Sequence, residues 1–375
     1  MWMSFNYQQI NEYQIEITSL CNAACPQCPR NNNGEGINSY MPLVSLSRDV
    51  IDRAFPAELC QRIRQIFFCG SYGDPIAHAE FLDILKDFRK KSPTIWLYIH
   101  TNGGIKNTAW WKELAEVING YGKIDFGIDG LEDTNHLYRK NVKFNRVMEN
   151  VKAFIGAGGK AQWNYIVFAH NEHQVSEAEQ LSKELGFESF LPRNTGRFLH
   201  HGQVEELTSW PVTGKNAYTI APPTNSKYRN KSLINLINLK QEYKPIDTYF
   251  DTTEIKCDAL LGNKVVITAE GLVLPCNFFT HNLYDARFRD PSILPGANAL
   301  SFVNGKNQVA EIIEQFGKDS LNINNNSLNE IFKNDFWQHV VDSWKKKIAE
   351  GRIFECAMTC GSKLSKVWDQ GGNKQ

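Results

Sequence analysis

Six short apolar runs alternate with helical stretches through the first two hundred residues, and this alternation limits the fold more than any other feature. The runs fall at 13–18, 65–70, 94–100, 123–128, 161–168 and 188–192. Helical stretches separate them at 47–62, 78–91, 108–119, 133–156 and 174–186. Within Glu80-Phe81-Leu82-Asp83-Ile84-Leu85-Lys86-Asp87-Phe88, apolar residues at 81, 84, 85 and 88 form one buried helical face. Strands alternating with such helices predict an α/β fold with a parallel sheet. Six units can form an open, partial barrel rather than the closed eight-unit form.

At 375 residues the chain is long enough for a large core and two domains. Residues 1–198 are expected to be the barrel. Residues 199–250, with Pro211, Pro222, Pro223 and weak periodicity, read as a linker or insertion with a short helix near 231–240. A smaller α+β domain is expected over 251–375. The 41 basic and 41 acidic residues cancel, which disfavours a nucleic-acid partner. Lys345-Lys346-Lys347 reads as a solvated helix face. The N-terminus lacks a basic region followed by an apolar stretch, and no run of about 18 apolar residues could span a membrane. The expected location is cytoplasmic. Nine cysteines in a cytosolic chain point to metal or cluster ligation more than to disulfides.

Three of those cysteines stand in Cys21-Asn22-Ala23-Ala24-Cys25-Pro26-Gln27-Cys28. This C-x3-C-x2-C loop follows the first strand, at the end where barrel enzymes carry their chemistry. A four-iron cluster normally takes four thiolates, so three would leave one iron open to a small molecule. A zinc site with a remote fourth ligand is the alternative. The spacing resembles the signature of the radical SAM superfamily. That resemblance implies a [4Fe-4S] cluster on Cys21, Cys25 and Cys28 that binds S-adenosyl-L-methionine (SAM). It further implies reductive SAM cleavage to a 5′-deoxyadenosyl radical, which takes hydrogen from the substrate.

Other segments extend the resemblance. Gly70-Ser71-Tyr72-Gly73-Asp74-Pro75 is similar to the family's Gly-Gly-Glu-Pro, so Tyr72, Gly73, Asp74 and Pro75 would receive the SAM amino group. His100-Thr101-Asn102-Gly103-Gly104 is similar to its Thr-Asn-Gly loop, which makes Thr101 and Asn102 an active-site wall. Asp125-Phe126-Gly127-Ile128-Asp129-Gly130, followed by Tyr138-Arg139, resembles Ser-Ile-Asp-Gly followed by Tyr-Arg. Asp129 would then lie near the ribose, and Arg139 would pair with the SAM carboxylate. Two departures stand out. Gly127 replaces the expected Ser, and Gln27 replaces the aromatic residue before the third cysteine. Adenine contact would then come from elsewhere, such as Val167-Phe168.

Cys257, Cys276, Cys356 and Cys360 form a second set. Two apolar strands flank the Glu270-Gly271 turn as a hairpin. One cysteine stands before the first strand and one follows the second. Four thiolates can saturate a [4Fe-4S] cluster or hold a structural zinc. The arrangement resembles the shortened SPASM domain called twitch, which implies one auxiliary [4Fe-4S] cluster. Helices are expected near 306–317 and 327–350. Cys69, near the end of the second strand, reads as a buried thiol or as a hydrogen-atom donor to a substrate radical. Cys60 reads as core, and His200-His201 as solvated or substrate-facing.

The combined resemblance is to a partial (β/α)6 TIM-like barrel followed by a small α+β twitch domain. It implies a radical SAM oxidoreductase maturing a peptide or protein by oxidation, cross-linking or epimerisation. It also implies an electron donor such as flavodoxin or ferredoxin. Only twenty residues precede Cys21, too few for a separate peptide-recognition domain. A small-molecule dehydrogenase of the aminocyclitol type is the second reading, and a non-catalytic metal-binding protein the third.

Overall fold

The computed structural model describes residues 4–196, 198, 210–214, 217–230, 238–239, 241–245, 247–284, 302–303 and 306–363. Six of its strands are those expected. They are β1 (Glu12–Ile15), β2 (Gln65–Phe68), β3 (Trp96–Thr101), β4 (Gly122–Gly127), β5 (Ala161–Ile166) and β6 (Ser189–Arg193). Each pairs in parallel with the next. The hairpin also forms, as β7 (Lys264–Ile267) and β8 (Val273–Leu274), turning through Gly271 at a φ of 92°. Its first strand pairs in parallel with β1, so one eight-stranded sheet runs β8-β7-β1-β2-β3-β4-β5-β6.

Strand alternation sends side chains to two faces. Tyr13, Ile66, Phe68, Leu97 and Ile99 are fully buried. Phe68 meets Phe81 and Phe88 of the helix Phe81–Lys91, and Tyr13 meets Phe55. The intervening positions, among them Gln14, Cys69, His100, Asp125 and Asn164, carry polar groups to the other face. Apolar burial under the helices therefore fixes which side chains face the barrel interior.

Three helical stretches break where one helix was expected. Residues 47–62 divide into Arg48–Ala54 and Ala57–Cys60, because Pro56 cannot donate to the preceding turn. Residues 133–156 divide into Asn135–Tyr138 and Phe144–Gly156, with Asn141 between them in the left-handed region. Residues 327–350 divide into Leu328–Ile331, Phe336–Ser343 and a short turn at Ile348–Glu350. Ser327 and Glu330 form a capping box at the first of these. The helix expected at 306–317 runs Gln308–Phe316. Most of the helix expected near 231–240, and both His200 and His201, lie outside the described residues. Among the described residues no helix is long and apolar enough to cross a membrane.

Candidate active site

A cavity of about 440 Å3 opens at the C-terminal ends of the strands. Cys21, Cys25 and Cys28 line it, together with Cys69, Tyr72, Gly73, Asp74, Thr101, Asn102 and Arg139. Two expected site residues stand behind this surface. Pro75 is buried at the start of the turn Pro75–Ala77, and Asp129 is fully buried.

Donors converge on the cysteine loop. Ala23 N lies 3.4 Å from Cys21 Sγ, Asn102 Nδ2 lies 3.7 Å from it, and Arg139 Nη1 lies 3.9 Å from Cys25 Sγ. Such donors favour a thiolate. Burial pushes the free Cys21 thiol far above its ordinary range, and a bound metal would offset that cost. The sulfurs and their donors thus fit an iron–sulfur group.

The loops after β2 and β3 lock together through Asp74. Its carboxylate accepts from Thr101 Oγ1 (2.9 Å), Asn102 N (2.8 Å), Asn102 Nδ2 (2.7 Å) and Ile76 N (3.0 Å). Asn102 Nδ2 also reaches Asn22 Oδ1 at 2.9 Å, which ties this frame to the cysteine loop. Gly73 packs so closely on the Thr18 carbonyl that any Cβ would overlap it. At the opposite side of the cysteine loop, Arg139 Nε donates to Asp129 Oδ2 at 2.6 Å, and Ile166 N donates to Asp129 Oδ1 at 2.6 Å. The glycine at 127 has a steric cause: a Cβ there would run into the Arg139 guanidinium.

Glu16 was not singled out in the sequence, where it is one polar position of an alternating strand. Its Oε1 accepts from Tyr72 N (2.7 Å) and Gly73 N (2.9 Å) and so positions the Gly70–Asp74 loop. Burial raises its carboxyl from an ordinary 4.5 to about 7, against the pull of the Tyr72, Gly73 and Ser71 backbone N–H groups. The folded state therefore holds a proton that the unfolded chain releases between those values. Stability is full below pH 4.5 and falls as pH rises through 7, by about 3 kcal/mol in total. Glu16→Gln keeps the accepting oxygen. Urea unfolding should show the variant more stable by about 2–3 kcal/mol at pH 8 and nearly unchanged at pH 4. An equal effect at both pH values would refute the burial argument.

The wall beside Cys69 was also unread in the sequence. His100 Nε2 lies 2.7 Å from Asp125 Oδ2 as an ion-pair contact, and Tyr98 Oη donates to the same oxygen at 2.6 Å. Asn164 Nδ2 donates to it as well. Arg193 Nε donates to Asn164 Oδ1 at 2.6 Å. Burial alone would lower the His100 pKa, but the neighbouring Cys69 and Asp125 outweigh it and raise the pKa to about 9.

Cys257, Cys276, Cys356 and Cys360 come together around a second, smaller cavity with Trp344 and Glu355. The Cys360 thiol is in hydrogen-bond contact with Cys257. Burial pushes the Cys276 thiol up to about 11, opposed by the Phe279 and Phe278 backbone N–H groups. Four adjacent thiols suit a metal or cluster. Among the described residues no three His, Cys, Asp or Glu side chains converge on a metal position. The helix Asn277–Tyr284, directly after Cys276, joins the two regions. Asn277 Nδ2 donates to Gln14 Oε1 at 2.8 Å, Gln14 Nε2 donates to the Cys69 carbonyl at 3.0 Å, and Tyr72 Oη donates to the Thr280 carbonyl at 3.2 Å.

Comparison with known proteins agrees with this geometry. Residues 15–181 match the radical SAM superfamily. The GTP 3′,8-cyclase of Nautilia profundicola is 24% identical over 294 residues, covering 73% of this chain and 83% of that protein. A cysteine-type anaerobic sulfatase-maturating enzyme of Clostridium novyi is 23% identical over 294 residues, covering 71% and 73%. The solved structure of anSMEcpe with bound AdoMet has a TM-score of 0.52 at 16% identity, over 96% of this chain and 88% of that one. This chain spans 60% of the length of Streptococcus suis SuiB in its S-adenosylmethionine complex, with a TM-score of 0.47 and 16% identity over 72% of this chain. The three-cysteine loop and strands β2 to β5 lie within the matched segment, so residues 15–181 form a radical SAM domain.

Proposed function

We propose that this enzyme holds a [4Fe-4S] cluster on Cys21, Cys25 and Cys28, binds SAM beside it, and removes hydrogen from a peptide or protein substrate. The observation that supports the reading is one cavity lined by Cys21, Cys25 and Cys28 together with Asp74, Asn102 and Arg139. When bound and reduced, the cluster supplies the electron that splits SAM to a 5′-deoxyadenosyl radical. Asp74, Thr101 and Asn102 hold the loops that position the SAM amino group. Arg139, fixed by Asp129, offers its remaining N–H groups to the SAM carboxylate. Cys257, Cys276, Cys356 and Cys360 hold an auxiliary [4Fe-4S] cluster next to the barrel interior.

The sulfatase-maturating relative favours a peptide or protein substrate, modified by oxidation, cross-linking or epimerisation. The second reading, a small polar substrate, draws on the polar barrel interior at Tyr98, His100, Asp125, Asn164 and Arg193 and on the cyclase relative. The test is anaerobic reconstitution with iron and sulfide, followed by SAM and dithionite. 5′-Deoxyadenosine is expected by mass spectrometry, at a rate that a true substrate raises. Iron-loaded protein that leaves SAM intact would overturn the reading.

A further inference from the structure

The cavity also has a polar wall beside Cys69 to which the proposed SAM contacts give no role. Asp125 is 1% exposed; Tyr98 and Asn164 donate to its Oδ2, and His100 Nε2 makes an ion-pair contact with the same oxygen. Its Oδ1 is buried with no hydrogen-bond partner among the described residues. A buried carboxylate oxygen left in this way lacks a donor that a ligand can bring. Arg193, half-buried at the end of β6, spends only Nε on Asn164 and meets no carboxylate among the described residues. Its other N–H groups are the fork that suits a carboxylate. His100 is about a third exposed beside it. Arg193 thus brings a guanidinium with uncommitted N–H groups close to the buried Asp125 carboxylate, through Asn164.

We infer that Cys69, His100, Asp125, Asn164 and Arg193 form a substrate subsite for a carboxylate-bearing group whose neighbouring hydroxyl or amide N–H donates to Asp125. Arg193 grips the carboxylate through its free edge, and Asn164 holds that guanidinium in place. Asp125 Oδ1 takes the donor. The subsite rests on the proposed radical SAM reading only in calling the ligand a substrate; its charge pattern stands independently. For a peptide it selects an acidic side chain or a chain terminus, and for a small molecule a hydroxy or acylamino acid.

Cys69 lines this wall and reports on it. The experiment alkylates the anaerobically reconstituted enzyme with iodoacetate or iodoacetamide and follows Cys69 by peptide mass spectrometry. Iodoacetate brings a carboxylate, whereas iodoacetamide is neutral. Relative to their rates with glutathione, iodoacetate should label Cys69 about tenfold faster, because the Arg193 guanidinium attracts its carboxylate. Arg193→Gln should erase that preference, and Arg193→Lys should keep part of it. L-Malate should protect Cys69 better than succinate, which lacks the hydroxyl donor. Equal preference in wild type and Arg193→Gln, or no labelling by either reagent, would overturn the subsite. Equal protection by malate and succinate would remove Asp125 from it. SAM binding, measured on the same preparations by calorimetry, separates the two readings. Loss of SAM binding in wild type counts against the SAM site, and loss of charge selectivity alone counts against the subsite.

Discussion

Arg139→Gln is expected to destabilise the protein by about 3–5 kcal/mol, because it removes the guanidinium paired with the buried Asp129 carboxylate. Asp129 has no exposed side-chain surface, and Arg139 Nε pairs with its Oδ2 at 2.6 Å. Burial opposes the Arg139 charge, but Asp129 outweighs burial and raises its pKa. The same change should weaken SAM binding about 10- to 100-fold, the scale of a lost charge-assisted hydrogen bond. Asp129→Asn added to Arg139→Gln separates the two roles. The double variant should recover most of the stability, measured by urea unfolding, yet bind SAM as weakly as the single variant. If the double variant also recovered SAM affinity, Arg139 would be only a structural partner of Asp129.

Local patterns made the barrel and the cysteine loop legible. Period-two alternation and helical faces are properties of a few consecutive residues, so the six parallel strands could be read from the chain. The cysteine spacing is likewise local. The break at Pro56 is also local, since its missing N–H acts within one turn, yet the expected helical stretch 47–62 ran through it.

Contacts between distant strands were not legible. His100 and Asp125 are direct neighbours across β3 and β4, and Arg193 reaches them through Asn164 on β5. No single segment carries that arrangement. Glu16 looked like any polar strand position until the β2 loop folded over it. Asp74, expected to face SAM, has its carboxylate engaged by Thr101 and Asn102, a contact that links two loops far apart in sequence. The departure at Gly127 was visible, but its cause, the nearby Arg139 guanidinium, was not. The pairing of β7 with β1 depends on which sheet edge is free, and the hairpin sequence does not encode that.

The largest effect is expected from Cys21→Ala/Cys25→Ala/Cys28→Ala. Removing all three thiols should lower 5′-deoxyadenosine formation by at least about a thousandfold, because no other described cysteine except Cys69 lines that cavity. The second thiol set is untouched by this change. The decisive measurement is therefore the iron and sulfide content of the folded triple variant after anaerobic reconstitution. About four iron and four sulfide per chain are predicted, held by Cys257, Cys276, Cys356 and Cys360. Iron near zero in the variant, with a cluster in the wild type, would contradict the assignment and leave those four cysteines as a zinc site or plain core.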